Sequence, residues 1–189
     1  MASSLPIAWL IARASGLVAF GLLTLAVWLG LSMSTRLFGP KRMKSLMGLH
    51  RTLAWTGLAM VGLHAGALLL DPVMHFGALS VLVPGEAPWK PGAVALGVVA
   101  GWLSLALASS FRLRKWIGQK GWRRLHYASF AAFVLALGHA LMVGSDLKGL
   151  GGPVLALLAA GPVLWLGFYR LLVPRSAARP GAAVPAPAA

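Results

Sequence analysis

Four histidines carry the strongest chemical signal in this sequence. His50 and His64 stand fourteen residues apart in one apolar segment, and His126 and His139 stand thirteen apart in a later one. At ~1.5 Å of rise per helical residue, the partners lie about 21 and 20 Å apart along their helices, most of a hydrocarbon core of ~30 Å. If the two segments run side by side in one direction, His50 faces His126 at one depth and His64 faces His139 at another. Two imidazoles facing each other from separate helices supply both axial ligands of a haem iron. Two such levels make two stacked haems, one near each membrane face.

A single histidine in an apolar helix is ordinarily a hydrogen-bonded core residue. Four at matched depths ask for more, because every polar group buried in lipid needs a partner. A proton relay and a divalent-metal site are the rival readings. Pairs about 20 Å apart cannot share one metal, and no buried carboxylate accompanies them. The spacing also imposes a condition. At about 100° per residue, fourteen residues return to within about 40° of the starting face, whereas thirteen fall about 140° away. The segment holding His126 and His139 therefore needs a 3₁₀ or π irregularity, an irregular start at His126, or a strong tilt.

The elements that must position these side chains follow from composition. The chain has 189 residues, 59% hydrophobic, with only three acids, Asp71, Glu86 and Asp146. Soluble domains carry about a quarter charged residues, so this is an integral membrane protein. Apolar runs predict an all-α bundle of five transmembrane helices at about 7–33, 46–70, 92–111, 125–143 and 153–173. The first lacks the basic start of a secretory signal and is expected to be retained. The Pro- and Ala-rich residues 174–189 predict a disordered cytoplasmic tail. With no cysteine, thiolate ligation and covalent haem attachment are excluded, so any haem is held non-covalently.

The net charge of +14 is not a nucleic-acid signature, because it gathers in short loops. Arg36, Lys41, Arg42 and Lys44 follow the first span, and Arg112, Arg114, Lys115, Lys120, Arg123 and Arg124 follow the third. Residues 71–91 and the loop after the fourth span are nearly neutral. The positive-inside bias then places the amino terminus outside and the carboxyl terminus in the cytoplasm of a cell-membrane protein. Under that orientation His50 and His126 both start their spans, and His64 and His139 both fall in the outer half. Histidine played no part in the orientation.

Arginines beside these levels are candidate partners for haem propionates: Arg13 inside the first span, and Arg51, Arg123 and Arg124 beside the cytoplasmic histidines. Interface snorkelling and positive-inside topology account for the same residues without haem. His75, in the external loop, has no matched partner and reads as exposed. Trp55, Phe130 and Phe133 fall between the two levels, where they could fill the gap or simply pack the core. Gly57, Gly62 and Gly66 admit close approach of a macrocycle or of a neighbouring helix.

His50-x13-His64 and His126-x12-His139, with Ala12-Arg13-Ala14-Ser15-Gly16 opening the first span and the basic Trp122-Arg123-Arg124-Leu125-His126 run, resemble the ferric reductase-like transmembrane domain superfamily over residues 7–172. That group includes NADPH oxidases, metalloreductases and the haem-binding membrane subunit of a periplasmic methionine sulfoxide reductase system. The resemblance implies two haem b groups held by the four histidines, passing electrons outward across the membrane. Many members have six spans against five expected here, and no Gly-rich nucleotide signature follows the last span. A separate cytoplasmic flavoprotein or a membrane quinol is therefore the expected donor, with ferric iron, oxygen or a reductase subunit outside as acceptor. Quinone is accordingly a second possible cofactor. The rival class is a non-catalytic anchor holding a soluble redox partner at the basic loops. A small transporter is disfavoured, since buried acids and paired broken helices are lacking.

Overall fold

The computed structural model of the protein describes residues 7–35 and 38–172. Within them the chain is all helical: α1 (Ile7–Ser34), α2 (Met43–Leu69), α3 (Ala78–Leu82), α4 (Pro91–Ser109), α5 (Arg114–His126), α6 (Ala128–Val143) and α7 (Gly151–Leu172), with short 3₁₀ turns at Pro40–Arg42, Ser110–Leu113 and Ser145–Leu147. The predicted tail, residues 174–189, and Arg36 lie outside the described residues.

Four helical stretches are long and apolar enough to cross a membrane: Ile7–Ser34, Met43–Leu69, Pro91–Val143 and Gly151–Leu172. The expectation was five. The third stretch is not one rod, however. The 3₁₀ turn at Ser110–Leu113, the non-helical Gly118 (φ 70°, ψ 170°) and the junction at Tyr127 divide it, and α6 folds back to pack along α4. α6 alone has 16 residues, or about 24 Å of rise, which is why length and hydropathy do not single it out. The basic stretch read as a loop is largely helical, forming α5, and none of its residues is buried.

Packing defines a closed ring. α1 packs on α2, α2 on α4, α4 on α6 and α6 on α1, while α7 lies against α1. Helices α2 and α6 are therefore diagonal across the ring, not side by side as the spacing suggested. Packed helix axes stand about 8–10 Å apart, too close for two imidazoles to meet end to end with a flat group between them. A diagonal placement supplies that separation.

Large apolar residues mostly face outward, among them Leu157, Leu158, Trp165, Phe168 and Leu171 on α7, whereas alanine is the commonest buried residue. Such a distribution suits a hydrocarbon surround. One core cluster joins α1, α6 and α7 through Phe20, Leu31, Phe133, Ala159, Val163 and Leu166. Trp28 Nε1 adds a hydrogen bond to the Ala159 carbonyl (3.1 Å). A second, smaller cluster of Phe76, Ala87 and Val94 packs the segment between α2 and α4 onto the bundle. There Asp71 Oδ1 accepts from the Val73 and Met74 amides, and Trp102 Nε1 donates to the Leu82 carbonyl at the end of α3.

Close contact between α1 and α2 depends on Gly57, where an added Cβ would lie 2.9 Å from Leu23 Cγ and Cδ2. Gly57→Ala is expected to destabilise the purified protein by about 1–3 kcal/mol through overpacking. Gly66→Ala, with nothing within 4 Å, should leave the melting temperature in detergent unchanged or slightly raised.

Candidate functional site

The ring of helices brings the four histidines together in two couples. The His50 and His126 rings have centroids 6.2 Å apart, inclined at 63°. Those of His64 and His139 are 6.4 Å apart, at 81°. Neither couple is stacked; in each the two rings are steeply inclined to one another. Two metal–nitrogen bonds of roughly 2 Å, plus about 1.2 Å from each nitrogen to its ring centre, give a centroid separation of about 6.4 Å for two imidazoles on one metal.

Three of the rings are anchored alike. Nδ1 of His64 donates to the Ala12 carbonyl (2.7 Å), that of His50 to Ala26 (2.9 Å) and that of His139 to Ala93 (2.9 Å). A helical carbonyl already receives the amide four residues on, but its second lone pair remains available. The side chain at that fourth residue normally covers it, because helical side chains lean toward the amino end. In all three cases the fourth residue is glycine: Gly16, Gly30 and Gly97. A Cβ there would stand 2.9 Å from His64 Nδ1, 3.5 Å from His50 Cε1 and 2.6 Å from His139 Nδ1. At Gly16 and Gly97 the missing side chain makes the seat, whereas at Gly30 a Cβ would meet the ring at ordinary contact distance; in all three the carbonyl fixes the tautomer with its proton on Nδ1. Nε2 is then the free lone pair, in the state a metal ligand requires.

His126 departs from this pattern, since its Nδ1 is buried without a hydrogen-bond partner. Its ring stacks on Trp122 instead, with centroids 4.9 Å apart at 26°. The local backbone is also irregular in the sense the phase condition asks for, and supplies part of the rotation. The Tyr127 amide bonds to Arg124 O and the Phe130 amide to Tyr127 O, both spanning three residues. Each residue wound as 3₁₀ turns about 20° further than in an α-helix, moving His126 toward the face of His139. An irregular start at His126 is thus what the structure contains.

The arginines are more dispersed. Arg13 follows the His64 acceptor Ala12 in sequence and lies over the Trp9 ring at 4.0 Å. Arg51 is exposed and lines an open groove of ≈ 480 Å³ with Gly48, Thr52, Trp55 and Thr56. Arg123 and Arg124 are exposed on α5. His75 is exposed, as expected, with a left-handed backbone (φ 51°). Trp55 is 47% exposed in the groove and so does not fill the space between the couples. Phe133 is buried and stacks on Phe20, a residue the sequence did not single out.

Three or more metal-ligating side chains do not cluster anywhere among the described residues. Two facing imidazoles suit a metal whose other ligands come from a macrocycle, as in haem. No known protein family, curated protein or solved structure matches the chain.

Gly97→Ala is expected to push the His139 ring off the Ala93 carbonyl. Gly62→Ala, with nothing within 4 Å, should not disturb any ring. The ¹⁵N shift and proton signal of the His139 Nδ1–H in labelled protein check this directly.

Proposed function

We propose that the chain is a membrane b-type di-haem cytochrome that moves electrons across the bilayer, in the manner of ferric reductase-like transmembrane proteins. The observation that carries this reading is the pair of ring separations, 6.2 and 6.4 Å, close to the value two axial imidazoles on one iron require. The glycine seats add to it, because each holds a ring in the tautomer that leaves Nε2 to a metal. His50 and His126 would hold the inner haem, and His64 and His139 the outer. Iron so ligated supplies reversible one-electron chemistry, and the protein supplies position, burial and hydrogen bonding.

In this reading α1, α2, α4, α6 and α7 each cross the bilayer, α6 with help from the last turn of α5. Arg170 Nη2 bonds to the Tyr127 hydroxyl at 2.6 Å, joining the end of α7 to the start of α6. Lys41, Arg42, Lys44, Arg51, the α5 bases and Arg170 thereby gather at one end, with Asp71, Glu86 and Lys90 toward the other. The basic end faces the cytoplasm of a cell-membrane protein, where a flavoprotein or membrane quinol gives electrons; the acceptor lies outside. Arg51, Arg123 and Arg124 are placed to pair with inner propionates and Arg13 with outer ones.

Purified protein from haem-replete cells should contain two haems per chain with a low-spin bis-imidazole spectrum. His64→Ala or His139→Ala should leave one. A haem-free wild-type protein would overturn the assignment. Orientation has a separate check: green fluorescent protein fused after Leu172 should fluoresce, and alkaline phosphatase fused there should be inactive. The reverse result would invert the direction of transfer.

A further inference from the structure

The two helix hairpins that build the ring carry their histidines on the same plan. In the first, Ala12 and Gly16 seat His64, and Ala26 and Gly30, fourteen residues on, seat His50. In the second, Ala93 and Gly97 seat His139. Fourteen residues beyond them stand Leu107 and Phe111, where the plan calls for a free carbonyl and a glycine. Neither is present. The Leu107 carbonyl accepts both the Ser110 amide and Ser110 Oγ (2.6 Å), and position 111 carries a large ring.

A different device occupies that corner. Ser110 is fully buried, at 1% exposure. With its proton committed to Leu107, its Oγ accepts the Trp122 Nε1–H at 3.1 Å. Phe111 abuts Trp122 edge to face, at 6.1 Å and 87°. Trp122 is thus pinned on two sides, and its face carries the His126 ring at 4.9 Å.

We propose that Trp122, braced by Ser110, is the positioning residue for His126, orienting the ring by stacking where the other three are held by a carbonyl. The inner couple then has one Nδ1–H hydrogen bond where the outer has two. A hydrogen bond from Nδ1–H makes an imidazole a more basic ligand, and an electron-richer ligand favours ferric iron. Resting on the di-haem reading, the missing bond sets the inner midpoint potential higher than a carbonyl seat at that corner would.

The test is a redox titration with electron paramagnetic resonance on the intact protein, taking the inner signal as the one that survives in His64→Ala. Trp122→Phe keeps a ring under His126 but removes the bond to Ser110. It should shift the inner low-spin g values and potential, leave the outer ones alone and retain two haems. The double variant Ser110→Ala, Phe111→Gly frees the Leu107 carbonyl and opens a seat beside it, and should lower the inner potential alone. Unchanged inner signals in Trp122→Phe, or equal shifts at both levels, would overturn the proposal while the cytochrome assignment stands. Absence of haem in the wild type would instead overturn the assignment on which it rests.

Discussion

An imidazole buried among apolar helices has two nitrogens and no water to satisfy them, and the packing supplies a partner to one nitrogen in three of these four rings. For three of them the solution is a shared helical carbonyl, and for His64 and His139 it is uncovered because the residue one turn on has no Cβ. An unpaired buried polar group costs about 1–3 kcal/mol in proteins and more in lipid. At Gly16 and Gly97 a side chain would leave the ring no room, so seat and ring depend on each other there. Helices α1 and α4 consequently act as templates: their carbonyls hold the His50 and His64 rings of α2 and the His139 ring of α6.

That division of labour explains the ring of four helices. The seating helices must touch the histidine helices closely, and α1–α2 and α4–α6 do. The histidine-bearing α2 and α6 stand apart, on the diagonal of the ring. Small residues line the first kind of contact, as at Gly57, Gly97 and Ala12. Bulky residues are turned outward or gathered into the α1–α6–α7 cluster.

Much of this was legible in the residues. Depth matching of the histidines came from spacing alone, because rise per residue is nearly constant along a helix. Some departure from a straight helix followed from the thirteen-residue interval, and among a 3₁₀ or π irregularity, an irregular start and a tilt the interval did not choose. Other features were hidden. Ala12 and Gly16, Ala26 and Gly30, and Ala93 and Gly97 are small pairs four apart, and among 23 glycines such pairs equally describe ordinary helix packing. Trp122 stood out in the sequence as part of the basic run to His126, and its stacking on that ring needed the fold of the Ser110–Leu113 turn to become visible. Trp55 lies at the right depth but on the wrong face, a distinction that spacing alone did not settle. The break within Pro91–Val143 likewise blurred the count of crossings, because α6 is short.

The arrangement of contacts also bears on how the molecule is made. Each hairpin completes its own imidazole seats from residues close in sequence: 52 residues separate His64 from Ala12 and 46 separate His139 from Ala93. Both can therefore form during synthesis, the first before the second has left the ribosome. What joins the α2 face to the α6 face comes from residues further apart in the chain, so the two halves can be prefabricated before they close on one another.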